Sequence, residues 1–185
     1  MKIIFSLLFI SLISSSVFGQ KYWQQEVNYN IKVKLDDENH ILNGLESFVY
    51  INNSPDTLNF IYVHLWPNAY ASEKTSLSKQ LSASGNDVLR FSDTINRGKI
   101  YNLDFKIEEE KLKVIYDDTY DDICKIILPN RLLPGESVKI STPFSVKIPS
   151  GEMSRLGHIG QSYQITQWYP KPALYDKNGW NQIPY

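Results

Sequence analysis

The sequence is poor in the residues from which chemical sites are usually assembled. Its only cysteine is Cys124, which excludes an internal disulfide and leaves stability to the core. In the run Cys124-Lys-Ile-Ile-Leu128 that cysteine shares a strand face with Ile126 and Leu128, so a buried, inert thiol is expected. The three histidines, His40, His64 and His158, are scattered, and none stands in His-Glu-x-x-His spacing. No zinc site can be written from them by motif. No serine, histidine and aspartate constellation with a nucleophile elbow is present, nor a glycine-rich phosphate cradle, nor paired carboxylates on a helix. Asp117-Asp-Thr-Tyr-Asp-Asp122 gathers carboxylates but lacks the glycine and distant glutamate of a calcium loop, so it reads as a solvated hairpin tip. Charge of one sign is also missing: 19 Lys and Arg face 20 Asp and Glu. That balance carries no footprint of nucleic acid or of an anionic membrane. Read alone, the chain names no catalytic residue and no metal ligand.

What is present begins with a leader. Lys2, the apolar and serine-dotted run from Ile3 to Phe18, and Gly19 fit a secretory signal over residues 1–19, cut before Gln20. The run is too short and too rich in serine for a stable membrane anchor. A secreted protein, periplasmic or extracellular, is expected, with residues 20–185 forming its β domain.

The mature chain alternates. Val27, Tyr29, Ile31, Val33 and Leu35 interleave with Glu26, Asn28, Asn30, Lys32 and Lys34, the period of a strand with one wet face. After the turn Asp36–Asn39, Leu42–Ile51 resumes as a second strand that should close a hairpin with the first. Leu58–Trp66 is apolar on both faces, which suits a central strand or one beneath another layer. Residues 67–99 weaken into Ser, Asn, Gly and Lys, with a helical turn or two near Ser72–Leu81, and read as a long surface excursion. Ile100–Ile107, Leu112–Tyr116, Ile123–Leu128 and Ser137–Ile148 are further strands. No helical period is sustained beyond the leader. The expected fold is all-β, an antiparallel sandwich of about seven or more strands with an irregular C-terminal tail.

That tail, Gln161–Tyr185, concentrates aromatics, amides and prolines. Pro170 and Pro172 exclude a helix interior or a central strand, so Trp168, Tyr169, Tyr175 and Trp180 ride on irregular backbone. Large rings on a loop need a surface, and the expectation is a junction with a missing domain. An alternative is a secreted binding module that offers Trp168, Tyr175 and Trp180 to a glycan or protein, which requires those rings on one flat face.

Several segments resemble a known family. Tyr29-Asn-Ile-Lys-Val-Lys-Leu35, Leu42-Asn-Gly44, Phe48-Val-Tyr-Ile-Asn52 and Leu65 are similar to the start of the N-terminal β domain of aminopeptidase N-like zinc metallopeptidases. Trp168-Tyr169-Pro170 and Tyr175-Asp176 resemble the aromatic-proline and acidic positions that close it. The resemblance implies a neighbouring catalytic domain, absent from this chain, that holds zinc on two histidines and a glutamate. No cofactor is implied for the β domain itself. It also implies that one side chain of the β domain receives the free amine of a peptide substrate, some eight to ten residues before the aromatic-proline step. Counting back places Gln161 there. A competing register matches Thr166-Gln167 to the family's Thr-Gln pair and puts Tyr169 at the amine-binding position. Gln161, Gln167 and Tyr169 are therefore the candidate substrate-binding residues.

Overall fold

The computed structural model describes residues 22–151 and 153–185. The expected signal segment, 1–19, lies outside them.

Among the described residues, fourteen strands and one α-helix follow one another as β1 (Glu26–Asp36), β2 (Ile41–Ile51), β3 (Leu58–His64), α1 (Ser76–Ala83), β4 (Lys99–Tyr101), β5 (Lys106–Ile107), β6 (Glu110–Lys111), β7 (Lys113–Tyr116), β8 (Ile123–Leu132), β9 (Ser137–Lys147), β10 (Leu156–Ile159), β11 (Ser162–Ile165), β12 (Lys171–Pro172), β13 (Leu174–Asp176) and β14 (Gly179–Asn181). They form an all-β, antiparallel, sandwich-like fold. A six-stranded sheet has the order β1-β2-β9-β5-β6, with β4 also on β9, and a four-stranded sheet has the order β12-β3-β8-β7. Two further hairpins, β10-β11 and β13-β14, complete the fold.

The first hairpin follows directly from the alternation. Asp36 accepts the Glu38 and Asn39 N–H groups at 3.2 and 3.0 Å and the Asn39 amide at 2.9 Å, which closes the turn without a glycine. His40, at φ 55°, completes it. Register then pairs Tyr29 with Phe48, Ile31 with Glu46, Val33 with Gly44 and Leu35 with Leu42. Phe48, Glu46 and Gly44 meet Ile140, Thr142 and Phe144 on β9. Because directly paired residues share a face, all of these point inward.

The inward face of the larger sheet packs on Ile61, Val63, Cys124, Ile126 and Leu128 of the smaller one, in a single buried cluster. Cys124 is buried there and its thiol is pushed up to about 12 by burial. Asn52, in the turn after β2, is fully buried and sews the layers together. Its amide donates to the Asp56 and Leu132 carbonyls at 2.7 and 3.0 Å, while its oxygen accepts the Ser54 hydroxyl at 2.6 Å.

Three expectations are refined. The strand expected over Ile100–Ile107 is broken in two, because Asn102 adopts φ 60° and donates its amide to Ser145 at 3.1 Å, while the Asp104 N–H binds Thr142 at 2.9 Å. The hairpin tip at 117–122 is not wholly solvated: Asp122 is buried, its carboxyl raised by burial, and it accepts the Tyr185 N–H at 2.7 Å. The long excursion is pinned. Leu77 and Leu89 are buried in the core, Thr75 caps α1 by accepting the Ser78 N–H at 3.2 Å, and Arg97 pairs with Glu73 at 2.7 Å.

Gly44 makes a close crossing possible, since a Cβ built there would lie 2.4 Å from Cζ of Phe144. Gly44→Ala must therefore displace that ring. The expected loss is about 1–3 kcal/mol of unfolding free energy, read from urea denaturation, with the slope unchanged.

Candidate functional site

The tail is folded onto the domain. The expectation that its rings lack a surface within this chain is not met. Lys171 and Pro172 pair with His64 and Val63, which puts Pro172 on a sheet edge where a missing donor is tolerated. The β13-β14 hairpin presses Trp180 against Tyr50, Phe60 and Tyr62 at centroid distances of 6.2, 6.2 and 5.9 Å. Tyr185 lies edge-on to Trp66 at 5.8 Å and accepts the Tyr70 hydroxyl at 3.0 Å. Tyr175 and Trp180 are tilted by 54°, and Trp168 packs elsewhere, on Phe144 and Tyr169. The three rings do not make one flat face, so the motive for a ring-platform module is removed.

The three candidate substrate-binding residues have separate surroundings. Gln161, at the tip of the β10-β11 hairpin, donates to the Asp37 carbonyl at 3.0 Å and accepts the Tyr163 hydroxyl at 3.3 Å. It is exposed and tied to the β1-β2 turn. Gln167, at φ 57°, points its oxygen at the Lys171 ammonium. Tyr169 lies edge-on to Tyr29 at 5.4 Å, beside the middle of β1.

Lys171 is the most perturbed cation of the region. Its ammonium sits 3.7 Å from the centre of the Trp66 ring, where the ring face attracts it. Burial lowers its pKa to about 8. His64, edge-on to Trp66 at 4.7 Å, is held down to about 4, first by burial and then by the Lys171 charge. It is thus a neutral ring at physiological pH. Nδ1 of His64 and Nε1 of Trp66 are buried without a hydrogen-bond partner among the described residues.

A second histidine feature was not legible in the sequence. His40 and His158 stack at 3.6 Å with 20° between their planes, and His40 Nδ1 lies 2.7 Å from the Tyr163 hydroxyl. Rings stacked in this way direct their nitrogen lone pairs along nearly parallel planes, so the pair does not converge on one ion. Among the described residues no group of three or more His, Cys, Asp or Glu side chains is placed to hold a metal. Likewise, none of the described helices is long and apolar enough to cross a membrane.

Two features mark a border rather than a pocket. Tyr29, Val33 and Leu35 face inward by register, yet they remain 38%, 47% and 36% exposed. The smaller sheet does not reach them. Next to them on β2, Glu46 is fully buried, with both carboxyl oxygens unpartnered among the described residues. Leaving a buried acceptor unmade costs about 1–3 kcal/mol, more for a charge. Burial accordingly raises Glu46 to about 8. The one signal that could have found it is its phase, since Leu42, Phe48 and Tyr50 occupy the same inward register.

No protein-family model matches the sequence, and comparison with curated proteins likewise gives no match.

Glu46 fixes a pH dependence. Its folded pKa lies above the ordinary value near 4.5, so between about 4.5 and about 8 the folded chain holds a proton that the unfolded chain releases. Stability is full below the lower value and declines toward the upper one, by an amount on the order of a few kcal/mol. Glu46→Gln should flatten that slope in denaturant titrations from pH 5 to 8. A slope that survives the substitution would place the linked proton elsewhere.

Proposed function

We propose that this chain is the N-terminal, non-catalytic β lobe of a secreted, zinc-dependent, aminopeptidase-like metallopeptidase. In this reading it packs on a catalytic lobe and forms one wall of the peptide-binding cleft. The observation that carries it is the uncovered inward strip of β1, Tyr29, Val33 and Leu35, which adjoins Tyr169. A strand face built for burial and left open is the mark of an interface with another body. The residues that resemble the closing motif of the family β domain, Trp168-Tyr169-Pro170, lie beside that opening.

Zinc belongs to the other lobe. The scattered and stacked histidines of this chain do not suit it, and no step of catalysis is assigned to its residues. Their part is to shape the cleft and to receive the substrate's amine. Of the two registers we favour the one that uses Tyr169, because its ring packs on Tyr29 of the open strip, whereas the Gln161 amide is already engaged by the Asp37 carbonyl and the Tyr163 hydroxyl. A phenol oxygen accepts a hydrogen bond from an ammonium group, as an amide oxygen does. Gln167 supports the wall indirectly, since the Lys171 ammonium already occupies its oxygen.

The decisive experiment is to read the gene past the codon for Tyr185. The frame should continue into a helical lobe with His-Glu-x-x-His and a downstream glutamate, and a native stop there overturns the proposal. In the two-lobe protein, Tyr169→Phe should raise KM for an aminoacyl substrate roughly three- to ten-fold, the worth of about one hydrogen bond. Gln161→Ala should leave it within about two-fold. The isolated chain should self-associate through the open strip, and Val33→Glu with Leu35→Lys should lower its sedimentation-derived mass toward that of a monomer.

A further inference from the structure

The Glu46 carboxyl makes no hydrogen bond to the hairpin or the core among the described residues. Its cross-strand neighbours are Ile31 on β1 and Thr142 on β9. Thr142 cannot serve it, because that hydroxyl donates to the Pro143 carbonyl at 2.8 Å and accepts the Asp104 N–H at 2.9 Å. The ionisable group that feels Glu46 is Tyr29, whose phenol is raised by burial first, then by Tyr169, then by Glu46. Among the described residues no cation perturbs the carboxyl, and burial accounts for its state. The row thus holds a carboxyl with two open acceptors near the Tyr29 ring, which Tyr169 meets edge-on, at the edge of an exposed apolar strip. A planar guanidinium answers each part of that description. It presents paired N–H donors to both oxygens of one carboxylate, and its flat faces stack on aromatic rings, whereas an ammonium does neither as well.

We propose that Glu46 is the receptor for an arginine side chain on a second protein surface, which seats on Tyr29, Val33 and Leu35 and inserts its guanidinium past the Tyr29 and Tyr169 rings onto the carboxylate. Charge complementarity selects this occupant: an apolar or acidic surface would cover the strip and leave the carboxyl unpaired. The inference rests on the reading that another lobe covers this strip, and not on the zinc chemistry of that lobe. Docking would displace the proton that Glu46 holds in the free domain, so association and ionisation are linked.

A tether tests this without the partner. Val33 pairs with Gly44 and is half exposed, one inward position from the Ile31–Glu46 row. The thiol of Val33→Cys can be capped with a guanidinoethyl group or with a neutral propyl group through methanethiosulfonate reagents. Native Cys124 is buried and does not compete. Attachment holds the guanidinium at an effective concentration of millimolar order. The carboxyl NMR signal of Glu46, assigned by its loss in Glu46→Gln, should titrate roughly 1–3 pH units lower with the guanidinoethyl cap than with the propyl cap. The guanidinoethyl protein should also melt higher at pH 7, and this gain should vanish in the Glu46→Gln background. Equal titration midpoints with the two caps, or a melting gain that persists without Glu46, overturns the proposal. Should Val33→Cys not fold, the unmodified chain is titrated with N-acetylarginine methylamide and with its neutral citrulline counterpart. A shift of the Glu46 signal by the arginine compound alone supports the site, and an equal response or none overturns it. Either failure leaves the catalytic-lobe reading intact, since that depends on the downstream gene.

Discussion

The two sheets differ in reach, and most of what is distinctive about this molecule follows from the difference. The larger sheet has β1 at its margin, an eleven-residue strand whose inward side chains continue the row set by β2 and β9. The smaller sheet covers the middle of that row and stops. An edge strand with an apolar face left open is normally shortened, charged or covered. Here the tail supplies part of the cover, through Trp168 and Tyr169, and the remainder stays exposed at Val33 and Leu35. Glu46 sits where cover gives way to opening, which is why a carboxyl can be buried there and yet adjoin a surface.

The tail is held by several unlike interactions. A short edge pairing places Lys171 beside His64, a cation against an aromatic face fixes its ammonium, and the buried carboxyl of Asp122 takes the backbone of Tyr185. Each of these depends on a residue far away in sequence. Together they hold irregular backbone in place where prolines prevent a continuous ladder. The rings consequently act as a wall of the domain, and each keeps only part of its surface free.

The strands with a wet face and a dry face were legible in the sequence. The alternation from Val27 to Leu35 and the apolar run ending at Leu128 correspond to β1 and the first part of β8, because a period of two survives any sheet order. Cys124 fell on the buried face for the same reason. The break at Asn102 was not legible, since a single left-handed residue and two side-chain bonds to β9 interrupt an otherwise strand-like run. Asp122 looked like one more solvated acid, and only its contact with Tyr185, 63 residues away, accounts for its burial. The site was less legible than the fold. Gln161, Gln167 and Tyr169 are close in sequence but face a turn, a lysine and a strand respectively.

Local periodicity and turn chemistry were enough to specify strands and a first hairpin, because each depends on neighbours a few residues apart, whereas the tail expected to be irregular carries short paired strands, with Tyr175 opposite Trp180 in the β13-β14 hairpin. Which inward side chains would remain uncovered, which carboxyl would be stranded without a donor, and that His40 and His158 would stack could not be read in that way. Those outcomes depend on how far one sheet extends over the other and on where the tail comes to rest. The second is set by contacts between segments more than a hundred residues apart.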